Sequence, residues 1–256
     1  MGWEAAGQAW GRQAWDWALL QEQLTANSFD LLQQLSGVGD GVRVLDLACG
    51  SGLALQRAQA RRAVCFGIDA SVGLLAVAAE RVPEATLTLG DTADLPYDDG
   101  SFDVVTWCNG IPHGSDRVLV EAARVLRPGG RFAMAFWSDA GDYEPYFQAI
   151  VACGPPGPET SAPLQLSDPG ISQEMVESTG FELVERGEHE VVGLYRTVED
   201  AYLGLEAAGA NEGAIEHSGP AAFRTALHAV IEPYTDRASG RVRMRATMGH
   251  LVARKL

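Results

Sequence analysis

The chain has 256 residues, 46% of them apolar, enough for one sizeable hydrophobic core. Against 34 Asp and Glu it carries only 19 Lys and Arg, a net charge of −15. Such a field repels nucleic acid and anionic membrane surfaces, so a small neutral or cationic ligand is the expected partner.

The N-terminus has no basic region followed by an apolar one, and no apolar run approaches the roughly 18 residues of a membrane span. The expectation is a cytoplasmic chain with no membrane or nucleic-acid partner. Residues 1–36 read as an amphipathic helix pair: Trp3, Trp10 and Trp17 recur every seventh place, and Leu20, Leu24 and Leu31 continue the apolar face. Ser36 to Gly41 form a turn. "VRVLDL" is then a short, apolar, β-branched run ending in glycines, the pattern of a buried parallel strand. A helix follows in "LALQRAQARR", a strand in "AVCFGID", and a helix in "SVGLLAVAAERV" with Ser71 as N-cap. "ATLTLGD" and "FDVVTWC" are two more strands. "DRVLVEAARVL" is a helix closed by "RPGG", and "RFAMAFW" is a fifth strand.

This regular alternation predicts a doubly wound α/β sheet, whose ligands bind at the carboxyl ends of the strands where strand order reverses. Beyond it, residues 153–163 read as a loop and "ISQEMVESTGF" as a helix. "ELVERGEHEVV" and "RVRMRATMGHLVARK" read as strands flanking two helices at about 197–236. That insertion is too short for a separate domain and would form a cap. The chain thus reads as a single domain, 1–256. Its parts are an N-terminal helical lid (1–36), a ligand-binding core (37–138) and a C-terminal half (139–256) bearing the cap.

"LDLACGSG" carries the chemistry. Asp46 ends the first strand, and Gly50 and Gly52 let the backbone turn sharply into a helix whose N-terminal N–H groups face a ligand. Asp69 ends the second strand, where a carboxylate can accept from a ribose diol. A nicotinamide dinucleotide fits less well. Its fingerprint needs a third glycine where Leu55 stands, and Asp46 beside the loop would repel a pyrophosphate. An acid there suits an ammonium, so a nucleoside joined to an amino acid fits both halves.

Together, "VLDLACGSG", "FGIDAS", "GDTADLPYDDGSFDVV" and "RVLRPGGRF" resemble the class I S-adenosylmethionine-dependent methyltransferases of the small-molecule, type 11-like family, in that family's order and spacing. The resemblance covers about residues 14–138 strongly and the rest weakly. It implies a Rossmann-like, mostly parallel seven-stranded sheet with an antiparallel last strand. It implies S-adenosylmethionine as methyl donor and O- or N-methylation of a small-molecule acceptor, with specialised metabolism a frequent setting. By the same resemblance Asp46 holds the methionine ammonium and Gly50 and Gly52 meet the amino-acid part. Asp69, followed by Ala70, binds the ribose; Asp91 and the Thr92 N–H meet the adenine; Asn109 lies beside the methionine. Ala48 stands where many members have glycine. Trp15, followed by Asp16, stands near an N-terminal aromatic-acid pair of relatives, where its ring would face the sulfonium.

"WCNGIPHG", Trp107 to Gly114, contains the parts of a thiol-protease site, but Cys108 ends a strand, where a thiol is an inert small hydrophobe. Asn109-Gly110-Ile111-Pro112-His113 also departs from the Asn-Pro-Pro-aromatic run of amino-methylating relatives. His113 is the candidate base, needed only if the acceptor is a hydroxyl. The four cysteines lie far apart with no C-x-x-C pair, so neither disulfides nor a zinc site is expected. Asp139 and Asp142 lack the third acid a Mg²⁺ site would want, so no metal is expected. The sequence leaves a homodimer open.

Overall fold

The structure is a computed structural model, and it describes residues 2–109, 115–156 and 166–256. Its centre is one seven-stranded sheet of order β3-β2-β1-β4-β5-β7-β6. The strands are β1 (Arg43–Leu47), β2 (Val64–Asp69), β3 (Thr86–Leu89), β4 (Phe102–Cys108), β5 (Leu126–Asp139), β6 (Phe181–Tyr195) and β7 (Val242–Lys255). β1 to β5 pair in parallel, and β7 runs antiparallel to both neighbours. The doubly wound, mostly parallel reading therefore holds, with the reversal of order between β1 and β4.

β5 shows why the sheet is covered on both sides. Phe132, Met134 and Phe136 enter one core cluster with Leu45, Trp107 and Leu119. Ala133 and Ala135, on the opposite face, enter another with Leu32, Tyr195 and Met244. Successive side chains alternate faces, so a single strand feeds two cores. The helices are α1 (Trp3–Gly11), α2 (Ala14–Asp16), α3 (Ala26–Ser36), α4 (Leu53–Ala60), α5 (Val72–Arg81) and α6 (Ser115–Val125). They continue with α7 (Glu144–Cys153), α8 (Pro169–Glu177), α9 (Val198–Glu206), α10 (Glu212–Ser218) and α11 (Pro220–Ile231). Ser71 caps α5 as expected, its hydroxyl accepting from the Leu74 N–H. No helix among the described residues is long and apolar enough to cross a membrane.

Two regions differ from the sequence reading. The expected N-terminal helix pair is broken between α1 and α3 by α2, a π-helical turn (Trp17–Gln21) and a 3₁₀ turn (Glu22–Thr25). Trp10 and Trp17 still meet edge to face, 4.7 Å between centroids. The break lets α1 leave the line of α3 and dock on α5. α7 and α10 are additional helices. Both pack with α11, which joins α9 to build the insertion between β6 and β7. Tyr146 of α7 is buried and donates from its hydroxyl to Asn211 Oδ1 at the start of α10.

The N-terminal segment and the insertion are tied to each other. Tyr195 donates to Gln21 Oε1 at 2.7 Å, Gln13 to Glu206 at 3.3 Å, and Arg12 pairs with Glu212.

Candidate functional site

The glycine loop joins β1 to α4 at the carboxyl end of the sheet, beside the reversal point. Its backbone is left-handed at Ala48 (φ 52°), Gly50 (φ 55°) and Gly52 (φ 81°). The glycine common at position 48 in relatives is thus explained, since a Cβ in this region costs roughly 1–2 kcal/mol. Asn109, at the end of β4, is left-handed too (φ 55°), a conformation Asn tolerates.

The structure brings the expected acids together. Asp46 is buried and accepts from the Thr106 hydroxyl of neighbouring β4 at 2.6 Å. Asp69 is buried at the tip of β2, where its Oδ2 accepts from the Gly50 N–H and its Oδ1 from the Ser71 N–H, each at 2.8 Å. One carboxylate therefore holds the glycine loop against the start of α5. Asp91 follows β3, which pairs with β2 up to Asp69, and it accepts from the Ala93 N–H at 2.9 Å in a local turn that includes Thr92.

A third acid was not foreseen. Glu22, from the 3₁₀ turn of the N-terminal segment, is buried against the loop. It accepts from the Ser51 hydroxyl at 2.6 Å and from the Leu53 N–H that opens α4, and it pairs with Arg81 of α5. Arg81 also donates to the Ser51 carbonyl at 3.0 Å and towards the Ala18 carbonyl at 3.4 Å. The helix N-terminus that the sequence offered to a ligand anion thus already holds a side-chain carboxylate. Within "QEQLTAN" nothing separates Glu22 from a solvated acid.

Burial raises the proton affinity of all three carboxylates. Desolvation pushes Asp46 up to about 7, with repulsion from Glu22 and Asp69 adding to it against the Thr106 bond. Desolvation likewise raises Glu22, offset by Ser51 and Arg81, and raises Asp69, offset by the backbone donors. Burial drives the Cys108 and Cys49 thiols well above the usual range, so neither offers a thiolate, in keeping with an inert Cys108.

α1 forms the outer wall. A Cβ on Gly7 would stand 1.9 Å from the Ala70 carbonyl oxygen, and one on Gly73 would stand 2.6 Å from that of Gly11. Glycines on both sides therefore let α1 rest directly on the junction after Asp69. Trp15 is 52% exposed, and among the described residues it makes no ring contact or hydrogen bond with the other expected site residues. His113 lies outside the described residues. Asp139 and Asp142 accept from the N–H groups of Gly141 and Arg245, which serve the turn after β5 and its contact with β7.

Beside Asp46 a narrow crevice, too tight for a water molecule, is bounded by Phe29, Leu32, Gln33, Ala54, Thr106 and Cys108. A wider recess near Asp103 and Arg131 lies at the amino end of β4, the wrong end of such a sheet for a ligand.

Comparison with known proteins agrees with this geometry. A methyltransferase domain family, Methyltransf_11, matches residues 45–134. A demethylmenaquinone methyltransferase of Mycobacterium sp. (strain KMS) is 43% identical over 105 residues, 40% of this chain and 44% of that protein. A 27-O-demethylrifamycin SV methyltransferase of Amycolatopsis mediterranei (strain S699) is 36% identical over 141 residues, 50% of this chain and 52% of that protein. The chain spans about half the length of the curated relatives it matches. The crystal structure of the [4+2]-cyclase SpnF covers 90% of this chain and 81% of its own at 23% identity, with a TM-score of 0.58, a likeness of fold. Residues 45–134 thus match a methyltransferase domain, and the motifs and strand order around them are similar to those of the class I S-adenosylmethionine-dependent methyltransferases.

Proposed function

We propose that the chain transfers a methyl group from S-adenosylmethionine to the oxygen or nitrogen of a small-molecule acceptor. The observation that carries this reading is the convergence of three buried carboxylates, Glu22, Asp46 and Asp69, on one glycine loop with Arg81 as the cation paired among them. Such a site favours a cation, and it argues against a pyrophosphate. The donor set fits the ligand in parts. Asp69 keeps lone pairs for a ribose diol, Asp46 for an ammonium, and Asp91 for an adenine amino group. Printed names of relatives, a demethylmenaquinone and a demethylrifamycin methyltransferase, support a small-molecule acceptor.

When bound, the sulfonium ligand supplies a methyl group on an excellent leaving group. The chain's own residues then have to position the acceptor and exclude water. Trp137, Tyr143, Phe147 and Tyr195 belong to the same apolar cluster as Cys108 of β4 and would supply an apolar wall for the acceptor. His113 would take the proton from a hydroxyl acceptor; a neutral amine would need no base. The crevice beside Asp46 leaves no room for a water molecule, so the N-terminal segment carrying Glu22 has to shift for entry.

Incubation with labelled S-adenosylmethionine and a panel of phenols, quinols and amines is expected to yield S-adenosylhomocysteine with one labelled methyl on the acceptor. Ligand binding with no methyl transferred to any acceptor would instead indicate a protein that binds without transferring. Asp69→Ala is expected to weaken S-adenosylhomocysteine binding at least tenfold; unchanged affinity would contradict the ribose assignment.

A further inference from the structure

Gln33 lies on α3 and is 2% exposed. Its Nε2 donates to the Ala54 carbonyl at 2.7 Å. A carbonyl can only accept, so this bond fixes which way round the amide lies. The amide's Oε1 is left buried and without a hydrogen-bond partner. Buried acceptors are nearly always satisfied, and an orphan next to a cleft marks a missing donor.

The cleft is the crevice that also contains Asp46 and Thr106. Thr106 already donates its one hydroxyl hydrogen bond to Asp46 Oδ1. With Asp46 ionised, what remains on the polar side is acceptor: its carboxylate and the amide oxygen of Gln33. Two acceptors without a donor call for a group with several N–H bonds and a positive charge.

We infer that Gln33 is a cofactor-binding residue whose Oε1, together with Asp46, receives the ammonium group of the ligand's amino-acid part. This rests on the ligand reading proposed above and adds to it a contact from the N-terminal segment. It also makes the segment's closure depend on the amino-acid part of the ligand, because α3 gains its last hydrogen bond only when that part is present.

The test compares two ligands on the full chain by titration calorimetry: S-adenosylhomocysteine, which carries the ammonium, and 5′-methylthioadenosine, which lacks the amino-acid part. Gln33→Leu is expected to weaken S-adenosylhomocysteine by roughly 10- to 100-fold, the size of a charge-assisted hydrogen bond. The affinity for 5′-methylthioadenosine should stay within about twofold. S-adenosylhomocysteine affinity within twofold of the parent overturns the inference and leaves the ligand reading standing. Equal losses for both ligands also overturn it, since they describe a structural role. If Gln33→Leu does not fold, Gln33→Met, unbranched and of similar length, is measured by the same ratio. If the parent chain binds neither ligand, the ligand reading falls, and this inference with it.

Discussion

Asp46 makes the site sensitive to pH. Its carboxyl, about 7 in the ligand-free chain, lies well above the ordinary value near 3.9. Its contribution to folding stability is therefore fully present below about pH 4 and is lost as pH rises through 7. A cationic ligand has the opposite preference and needs Asp46 ionised. Affinity for S-adenosylhomocysteine should rise with pH towards 7 and level off above it, with proton release on binding near pH 6.5. Asp46→Asn is expected to stabilise the ligand-free chain at pH 8 by a few kcal/mol, on the order of 1.4 kcal/mol per pH unit of raised titration. It should also remove the pH-dependent rise in affinity. Calorimetry and thermal melts at pH 5, 7 and 8 check both signs. Of the acids here, Asp46 and Asp69 were legible because a strand end and a glycine loop announce them locally. Glu22 and Gln33 were not. In "QEQLTAN" and "LLQQLS" their neighbours are equally polar, and only the packing of α3 and the 3₁₀ turn on the loop buries these two while leaving Gln23 and Gln34 exposed.

The elements that could be read from sequence are those with local punctuation. β1, β2 and β4 are short apolar runs between turn residues, and α5 begins at a serine that caps it. α7 has a signal of its own, Pro145 in its first turn followed by apolar residues. α10 is short and carries Gly213, so its helix depends on contacts with α7 and α11. The break between α1 and α3 has no comparable local mark, because what demands it is the docking of α1 on α5. That docking rests on Gly7 and Gly11, which read in sequence as poor helix formers. Gly7→Val is expected to separate α1 from Ala70, costing about 1–3 kcal/mol by overpacking. Residues 3–11 should then exchange amide hydrogens faster, with β1, β4 and β5 unchanged. Uniform protection across α1 in the variant would show that the contact is dispensable.

In the whole molecule the ligand end is enclosed by segments from opposite ends of the chain. Gln21 with Tyr195 and Arg12 with Glu212 tie the N-terminal segment to β6 and to the helical insertion. Sequence patterns located both pieces but not their meeting, which arises only once the sheet has brought the end of β6 above the carboxyl ends of β1 and β4. The sheet order carries a further consequence for how the chain is made on the ribosome. β6 pairs with β7 alone, and β7 is inserted between β5 and β6. Until Val242 to Lys255 have been synthesised, β5 presents an open edge and β6 has nowhere to attach. The nascent chain must therefore hold two unpaired strand edges for the time taken to translate the insertion, a state prone to aggregation. A chain ended at Gly240 should fail to accumulate in soluble form, and supplying residues 241–256 as a separate peptide during refolding should recover part of it. Completion of this sheet is a late event set by chain order, and the assembled site over its carboxyl end waits on the last strand.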